Sequence, residues 1–543
     1  MAESAIEEAS VPDLLRRRAS ERPDHRFLEQ VEDGRSSTYA EVAAQVDQVA
    51  AGLRALGVGR DDRVVTILPN VVESVVAWFA CMRLGAVECP IGAGYKGPLL
   101  VALLDSADSR VLVASRTVLA HLEPVLGDVP VIEHLVVVDV PDEGAVASPL
   151  PVGVAVWSWE QLATMGERDL LEEVPLRMSD TACMLFTSGT TGGSRGVLCT
   201  FAQEYESAVA APPSLSSEDT IYATSPPNHV GHKLLLYKSL VAGCRFVMRS
   251  TFSLSHFWSD VRAYGCTHTL LLGGATSYLL SEPVYRGERD NPLRSVLMIP
   301  IHPDVNAFRT RFGVAVHSMF NMTEICPVTS ISDEEIVDHR SCGRVRDGFD
   351  WLLVDEFDEP VPVGAAGELV LRPARPWHFS KGYWKDDAKT VEAWRNLWFH
   401  TGDVFVADES QQLRYLDRKK DVVRRRGENI SSAELESIAS AHDQVEEVAV
   451  IGVPSQHTEE DIKLVVVPRE PAFDDALDLF CFLEQRAPRF MLPRYVEFVS
   501  ELPKTPTLKV RKGELRAGGV SGRLHDVDEL LRNRRQGSQG PSG

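Results

Sequence analysis

Residues 185–197 read Leu-Phe-Thr-Ser-Gly-Thr-Thr-Gly-Gly-Ser-Arg-Gly-Val, and the apolar run 182–186 that leads into them predicts a strand. Glycines let backbone N–H groups approach an anion closely, and hydroxyls add donors that rotate. The stretch therefore predicts a loop that binds a polyphosphate. It lacks the Walker A spacing Gly-x-x-x-x-Gly-Lys-Ser/Thr. A flexible Gly/Ser linker is the alternative, but linkers seldom follow a strand so closely.

Length and charge restrict the class of protein. The chain has 543 residues and a formal net charge of −22, which allows several domains and disfavours nucleic acids and anionic membranes as partners. No apolar run approaches the roughly 20 residues of a membrane-spanning helix, and the acidic start does not resemble a signal peptide. Nine cysteines without a Cys-x-x-Cys pair predict reduced thiols and no zinc site. We expect a cytoplasmic protein.

Apolar patterns predict the fold class, which is α/β. Strand patterns at residues 63–68 and 87–89 enclose an apolar helix pattern at 72–84, and this alternation is typical of parallel sheets with helices on their faces. Near the C-terminus, a helix pattern at 433–442 precedes a strand pattern at 445–453. We therefore predict a large N-terminal domain of mixed and parallel sheets with flanking helices, followed by a small α+β domain.

The loop sequence resembles the phosphate loop of the adenylate-forming superfamily, which comprises acyl-CoA synthetases, adenylation domains of peptide synthetases and luciferases. The usual continuation Pro-Lys-Gly is Ser194-Arg195-Gly196 here, so the positive charge is kept but its shape changes. The resemblance covers about residues 11–531, with the motifs in the family's order. It implies that the phosphates of ATP are bound by Thr187, Ser188, Gly189, Thr190, Thr191, Gly192 and Arg195.

Two further motifs belong to the predicted acid and metal sites. The run Phe320-Asn321-Met322-Thr323-Glu324 resembles aromatic-Gly-x-Thr-Glu, which implies catalytic roles for Thr323 and Glu324, with Glu324 holding Mg²⁺. The histidine of the family's Pro-x-aromatic-His corresponds to His229, which implies an acid pocket formed by His229, Phe320 and Asn321. An alternative interpretation of His229 and His232 as metal ligands lacks a third ligand.

The later motifs imply a nucleoside site and a mobile domain. Residues 398–403 match Trp-x-x-Thr-Gly-Asp, and Asp417-Arg418-Lys419-Lys420-Asp421 follows. The resemblance implies that Asp403 and Arg418 bind the ribose and that Lys420 lies at a hinge. Residues 503–509 resemble Pro-Lys-Thr-x-x-Gly-Lys, which makes Lys509 the catalytic lysine. The predicted domains are therefore 1–417 for ATP and acid binding and 418–531 as the mobile domain, with a polar, disordered tail at 532–543.

Taken together, the resemblance implies an ATP-dependent, AMP-forming ligase that uses ATP and Mg²⁺. It would activate a small acid as its AMP ester, release pyrophosphate and transfer the acid to a second nucleophile. The sequence of residues 417–421 and 424–429 resembles that of the carnitine/crotonobetaine-CoA-ligase-like branch. This resemblance favours a carboxylic acid as the substrate and CoA as the acceptor. No Gly-Gly-x-Ser signature follows, so we do not expect a carrier protein as partner.

Departures from the family pattern leave two alternatives open. Asn228, residues 298–303 in place of Gly-Gly-Ala-Pro, Asn321 and Leu508 all fall at the predicted acid pocket or lysine loop, and larger side chains at 298–303 would narrow the pocket wall. A few relatives are thought to adenylate nitrous acid and transfer it to an aryl amine, which gives a diazo group. A non-catalytic nucleotide-binding homologue is the third class, and retention of the motif residues disfavours it.

Overall fold

The computed structural model describes residues 9–139, 153–167, 171–187, 195–419, 421–425, 428–430, 432–455, 460–487, 491–504, 509–518 and 522–537. The chain divides into two compact units. Unit 1 comprises Met1–Asp350 and Pro373–Glu392, and unit 2 comprises Trp351–Arg372 and Ala393–Gly543. The predicted domain boundary at residues 417/418 does not coincide with this division and stays a prediction.

The α-helices of the described residues are α1 (Val11–Glu21), α2 (Tyr39–Ala55), α3 (Val72–Arg83), α4 (Gly97–Ala107), α5 (Leu119–Leu122), α6 (Trp159–Met165), α7 (Phe201–Ala210), α8 (Val230–Ala242), α9 (Phe257–Ala263), α10 (Gly273–Ser281), α11 (Val305–Phe312), α12 (Asp387–Ala393), α13 (Ser432–Ser440), α14 (Ala476–Glu484), α15 (Lys512–Arg516) and α16 (Val527–Gly537). Among them we find none with the length and apolar character that a membrane crossing requires.

The strands are β1 (Arg26–Gln30), β2 (Ser36–Thr38), β3 (Arg63–Ile67), β4 (Val87–Pro90), β5 (Val111–Ser115), β6 (His134–Val138), β7 (Ala155–Ser158), β8 (Thr181–Thr187), β9 (Arg195–Thr200), β10 (Thr220–Ala223), β11 (Arg245–Met248), β12 (His268–Leu272), β13 (Ser295–Ile299), β14 (Ala315–Met322), β15 (Ile325–Ile331), β16 (Ser341–Val345), β17 (Phe349–Val354), β18 (Ala366–Pro373), β19 (Phe399–Ala407), β20 (Leu413–Arg418), β21 (Val423–Arg425), β22 (Glu428–Ile430), β23 (Val445–Pro454), β24 (Glu460–Pro468), β25 (Tyr495–Phe498) and β26 (Arg523–Asp526).

Unit 1 contains a seven-stranded sheet with the strand order β7-β6-β5-β3-β4-β8-β9. Its strands pair in parallel from β7 to β8, and β9 then pairs antiparallel with β8. Val64 packs on one face with Trp78, whereas Val65 and Ile67 pack on the other with Leu103. Burial on both faces is what continuous valine runs indicate, and the predicted parallel sheet is confirmed.

A second sheet in unit 1 has the strand order β16-β15-β14-β13-β12-β10-β11-β1-β2. The pairs between β1 and β14 are parallel, and β14, β15 and β16 then pair antiparallel. Strands β14 and β15 are joined by a turn of only two residues, because Met322 pairs directly with Ile325. This turn consists of Thr323 and Glu324, so the predicted metal ligand lies at the tip of a β-hairpin.

Unit 2 begins with the neighbouring strands β17-β18-β19-β20 and continues with an α+β unit in which β23-β24-β25-β26 form a four-stranded sheet. The predicted fold class is confirmed. The predicted tail differs, because residues 532–537 belong to α16 rather than to a disordered segment. Leu530 and Leu531 of this helix pack against the core that includes Leu479 and Val496, and this anchor extends the helix beyond Arg532. Residues 538–543 lie outside the described residues.

A buried ion pair joins α8 to the seven-stranded sheet. The ammonium of Lys233 lies 2.5 Å from Glu88 Oε2 and 3.9 Å from the centre of the Trp78 ring, and both charged side chains are almost fully buried. Thr66 donates a hydrogen bond of 2.8 Å to the other carboxylate oxygen. Burial raises the pKa of Glu88, and the ammonium opposes that rise. Each partner therefore compensates a charge that would be costly alone.

Lys233→Met should destabilise the protein by about 3–5 kcal/mol, because it leaves Glu88 buried without its partner. The double variant Glu88→Leu/Lys233→Met should recover most of that loss, since neither charge remains. Urea unfolding followed by tryptophan fluorescence measures both effects. Arg110→Gln, which breaks an exposed pair with Glu133, is the control and should leave the midpoint unchanged. A single variant as stable as the parent protein would contradict the prediction.

Candidate active site

The predicted phosphate loop connects two paired strands. Strand β8 ends at Thr187 and β9 begins at Arg195, and these two residues lie directly opposite each other in antiparallel register. The strand predicted before the loop is therefore confirmed. Arg195 donates a hydrogen bond of 3.1 Å from Nε to Asp386, which orients the guanidinium. Five predicted phosphate ligands lie outside the described residues, namely Ser188, Gly189, Thr190, Thr191 and Gly192.

The segment formed by residues 379–384 holds β9 close to the Thr323–Glu324 turn. The Ser380 N–H donates to the carbonyl of Glu324 at 2.8 Å, and the Lys381 N–H donates to the carbonyl of Leu198 at 2.9 Å. Between these contacts Gly382 has a φ of +117°, and a Cβ at this position would lie 2.5 Å from Thr390. Only glycine adopts this conformation without strain, so the segment depends on it.

The turn itself is fixed by two side chains. The Tyr383 hydroxyl donates to Glu324 Oε1 at 2.9 Å, and Gln203 Nε2 donates to the carbonyl oxygen of Thr323 at 2.8 Å. Glu324 is mostly buried, so its carboxylate has a defined orientation. Sequence reasoning missed Tyr383 and Gln203. No local pattern in the sequence marks either residue, because each contacts the turn from a distant part of the chain.

The predicted acid-pocket residues come from two elements. His229 is the N-cap of α8, and its Nδ1 accepts a hydrogen bond of 3.1 Å from the Gly231 N–H. Phe320 and Asn321 lie near the end of β14, the strand that leads into the Thr323–Glu324 turn. The Asn228 carboxamide lies against Gly92, where an added Cβ would be 3.3 Å from its Nδ2.

His232 does not form a metal site with His229. Its Nδ1 lies 3.1 Å from the carbonyl oxygen of Ser225 in the core, and burial lowers the pKa of His232 to about 3. The imidazole is therefore neutral at physiological pH. Among the described residues, the one group of three or more close metal-binding side chains contains neither histidine.

The prediction that residues 298–303 narrow the wall of the acid pocket is wrong for two of these residues. Met298 and Ile301 pack in a hydrophobic core that includes Phe308, so their side chains do not narrow a ligand pocket. The Met298 sulfur also lies 3.2 Å from the His302 N–H. The burial of β13 on both faces explains the position of Met298, because a strand in the middle of a sheet needs apolar side chains on each side.

Unit 2 brings the two predicted ribose ligands together. Asp403 on β19 and Arg418 at the end of β20 are directly opposite in antiparallel register. Arg418 Nε lies 2.8 Å from Asp403 Oδ1. The Asp403 side chain is buried, whereas Arg418 is 45% exposed, so the guanidinium retains donors that face solvent. Thr401 fixes the start of this strand, since its hydroxyl donates to the Leu369 carbonyl at 2.7 Å.

Glu368 supports both strands of this ribose pair. Its Oε1 accepts a hydrogen bond of 3.1 Å from the Gly402 N–H, and its Oε2 lies 2.7 Å from Lys419 Nζ. Although burial opposes it, the His400 ring, whose Nδ1 lies 3.4 Å from Oε2, and the hydrogen bond from Lys419 lower the pKa of Glu368 to about 2. The carboxylate is therefore ionised throughout the physiological range. Gly402 precedes Asp403, and Lys419 follows Arg418, so one side chain holds the neighbours of both ligands.

Lys509 lies in the same unit, close enough to the ribose pair for their charges to act on it. The residue is exposed, yet enough protein surrounds its ammonium to desolvate it. This desolvation and the Arg418 guanidinium lower the pKa of Lys509, and the Asp403 carboxylate opposes the shift. The predicted hinge residue Lys420 and the neighbouring departure Leu508 lie outside the described residues.

The family of the chain is shown by comparison with known proteins. The model of the AMP-binding enzyme family matches residues 15–384, and the model of the AMP-binding enzyme C-terminal domain matches residues 434–509. The chain therefore belongs to the AMP-binding enzyme family. The prediction of an ATP-dependent, AMP-forming ligase from this superfamily is confirmed.

Curated relatives and solved structures agree with this assignment. A crotonobetaine/carnitine–CoA ligase of Escherichia coli O45:K1 is 28% identical over 494 residues, which cover 88% of this chain and 93% of the relative. The anthranilate CoA ligase AuaEII in complex with anthranoyl-AMP has the same fold, with a TM-score of 0.82, 23% identity and coverage of 95% and 99%. ATP-bound MatB from Rhodopseudomonas palustris gives a TM-score of 0.79, 24% identity and coverage of 93% and 98%.

Asp403→Asn should weaken ATP binding by about 10- to 100-fold, because a neutral amide accepts weaker hydrogen bonds from ribose hydroxyls than a carboxylate does. The amide keeps the shape of the side chain, so the fold should be retained. Calorimetric titration with ATP measures the effect. The matched control is Asp443→Asn, an exposed carboxylate of the same unit. Equal ATP affinity in both variants would rule out a ribose contact by Asp403.

Proposed function

We propose that this ligase activates a small carboxylic acid as its AMP ester and then transfers the acyl group to CoA. In the first step an oxygen of the acid attacks the α-phosphorus of ATP, the bond to the β-phosphate oxygen breaks, and pyrophosphate leaves. In the second step the CoA thiolate attacks the acyl carbonyl, and AMP leaves. The proposal draws on the family, whose curated relatives include CoA ligases, and on the position of Lys509 beside the ribose pair.

The first step brings two anions together, so the protein must offset charge and fix geometry. In this proposal Thr187, the loop 188–194 and Arg195 bind the phosphates. Thr323 and Glu324 act next to them at a turn that Tyr383 and Gln203 hold in place. Such an arrangement limits the movement of the groups that meet the triphosphate.

The residues of the turn are compatible with Mg²⁺. Glu324 offers a carboxylate, the ligand type that Mg²⁺ prefers, and the Tyr383 hydroxyl fixes the orientation of that carboxylate through Oε1. When bound, the ion would supply positive charge that offsets the phosphates. Glu324 is the residue that we propose as its protein ligand, together with the phosphates of ATP.

The nucleoside and the reacting centre are assigned to unit 2. Asp403 accepts hydrogen bonds from the ribose hydroxyls, and Arg418, which Asp403 orients, contributes donors. The proposal mainly depends on the arrangement of Asp403 and Arg418, which face each other in antiparallel register 2.8 Å apart, with Lys509 in the same unit. A point charge on a flexible stem suits a group that must reach the acid and the α-phosphate in the transition state. The domain boundary at 417/418 and the hinge at Lys420 are parts of the same proposal.

His229, Phe320 and Asn321 form the proposed acid pocket. With Met298 and Ile301 assigned to the core, Asn228 is a departure that alters the polarity of this region, since a carboxamide stands where the family pattern Pro-x-aromatic-His has an aromatic ring. A carboxamide offers hydrogen bonds and removes apolar surface. We therefore propose that the acid carries a polar group besides its carboxylate.

Lys509→Ala should lower the rate of adenylate formation by about 10²- to 10³-fold, which is the typical effect of removing one group that stabilises transition-state charge. ATP affinity should remain nearly unchanged, because the phosphate and ribose ligands remain. Acid-dependent exchange of labelled pyrophosphate into ATP measures the rate, and equilibrium dialysis measures ATP affinity. Lys504→Ala, in the same segment, is the control and should retain most activity.

The adenylation rate should also fall with increasing pH, below the pH at which an ordinary lysine loses its charge. The folded protein lowers the pKa of Lys509, so its ammonium deprotonates at a lower pH than the usual value of about 10.4. Stabilisation by the ammonium is complete below the lowered pKa and disappears above it. Lys509→Arg should be less active but show no such fall, since arginine stays charged. An identical alkaline limb in both proteins would exclude Lys509 as its origin.

The function as a whole is tested by pyrophosphate release with ATP and Mg²⁺ over a panel of aliphatic and aryl carboxylates, with and without CoA. Nitrite with aryl amines forms the second arm. Release that depends on a carboxylate, with thioester formation on addition of CoA, is the expected result. Release only with nitrite and an amine would overturn the proposed acid and acceptor and favour nitrogen–nitrogen bond formation. ATP binding without release in any arm would indicate a non-catalytic homologue.

A further inference from the structure

Two cysteines and a glutamate converge on the strands that flank residues 188–194. Cys183 on β8 and Cys199 on β9 are directly opposite in antiparallel register, and Glu204 on the following helix α7 reaches the same point. One ligand atom from each of the three side chains lies within 4.8 Å of the other two. All three residues are almost completely buried, and both cysteines are free thiols.

The carboxylate of Glu204 is the unusual member of this group. Neither of its oxygens has a hydrogen-bond partner among the described residues, although the side chain is only 1% exposed. An isolated buried carboxylate is costly and requires a proton or a cation. The nearby ammonium of Lys233 already pairs with Glu88. The charge of Lys233 and the adjacent Cys199 thiol offset the cost of burying this carboxylate only in part.

We propose that Cys183, Cys199 and Glu204 bind a borderline-soft divalent cation of the Zn²⁺ type. Two sulfur ligands exclude Mg²⁺ and Ca²⁺, which take oxygen ligands, and favour zinc. On binding, the two thiols lose their protons to solvent, because thiolates are the ligand form. The site is separate from the proposed Mg²⁺ ligand Glu324 and does not depend on which acid the enzyme activates.

A fourth donor is available in the backbone. The carbonyl oxygen of Thr323 lies 3.6 Å from Cys199 Sγ. At ordinary zinc bond lengths, the ligand atoms of a tetrahedron are about 3.5–3.8 Å apart. The observed separations therefore need only a small contraction to fit one ion. The cysteine spacing had predicted no zinc site, because the two ligands are separated by the phosphate loop and meet only when β8 pairs with β9.

A cation at this point would connect three parts of the nucleotide site. It would join the strand before the phosphate loop to the strand after it, and it would fix the Thr323 carbonyl at the start of the turn that carries Glu324. The ion would be structural, because it would keep the distance between the strands β8 and β9 and this turn constant. Loss of the ion should therefore loosen both together.

The test uses the full chain, reduced and stripped of metal with a chelator, and titrated with Co²⁺ and Zn²⁺. Co²⁺ should produce a thiolate-to-cobalt charge-transfer band and visible bands of tetrahedral geometry, both saturating at a single equivalent. Zn²⁺ should displace Co²⁺ and raise the thermal midpoint, whereas Mg²⁺ should do neither. Absence of the charge-transfer band at stoichiometric Co²⁺ would overturn the proposal.

Three variants assign the site. Cys199→Ser should remove the charge-transfer band, and Glu204→Gln, which keeps the shape of the side chain, should weaken it and abolish the Zn²⁺-dependent rise in thermal midpoint. The matched control is the double variant Cys342→Ser/Cys481→Ser, which removes the two partly exposed thiols and should retain both signals. If Cys199→Ser fails to fold, Glu204→Gln decides. Loss of the signals in the control, or their retention in Glu204→Gln, would assign the ion to other residues.

Discussion

The backbone hydrogen bonds of residues 379–384 are the constraint on which the proposed phosphate-binding part of unit 1 depends. These residues bond on one side to β9, immediately after the phosphate loop, and on the other to Glu324. β9 and the β14–β15 hairpin belong to different sheets, so these backbone bonds, together with the contacts of Cys199 and Gln203 to the Thr323 carbonyl, hold the two elements next to each other. Gly382 allows the segment to face both partners, since its positive φ redirects the chain between the two contacts.

Unit 2 solves a different problem, which is to keep the buried carboxylate of Asp403, the proposed ribose ligand, ionised and oriented. Asp403 faces Arg418 on the neighbouring strand. Glu368 binds Gly402, which precedes Asp403, and Lys419, which follows Arg418. The charges alternate along this cluster, so each carboxylate has a cation beside it. Lys509 joins the cluster at its edge, where desolvation and Arg418 act on its ammonium. Its lowered pKa is the consequence first of desolvation and then of the neighbouring arginine charge.

The sequence predicted most of the fold and the identity of many site residues, for physical reasons that can be named. Continuous apolar runs predicted β3 and β8 correctly because buried parallel strands need such runs. The same property made it impossible to predict which face of the strand Met298 occupies. A strand that is apolar on both faces has no alternation of polar and apolar residues that would distinguish the two faces. Tyr383 was missed because it contacts Glu324 from 59 residues further along the chain. Helix α16 was misjudged at Arg532 because packing of Leu531 outweighed local polarity.

The two-residue turn at Thr323–Glu324 has a consequence for exchanging parts between relatives. Side chains alternate along paired strands, so the length of a hairpin connection decides which face each following residue occupies. A single inserted residue would leave the composition of the motif intact but would require a longer, bulged turn or a one-residue shift of β15, and such a shift would turn its core-facing side chains toward solvent. The function of the motif therefore depends on the length of the turn as well as on the identity of its residues. A chimera that imports a new acid pocket has to take Ala315–Met322 and Ile325–Ile331 as one uninterrupted piece.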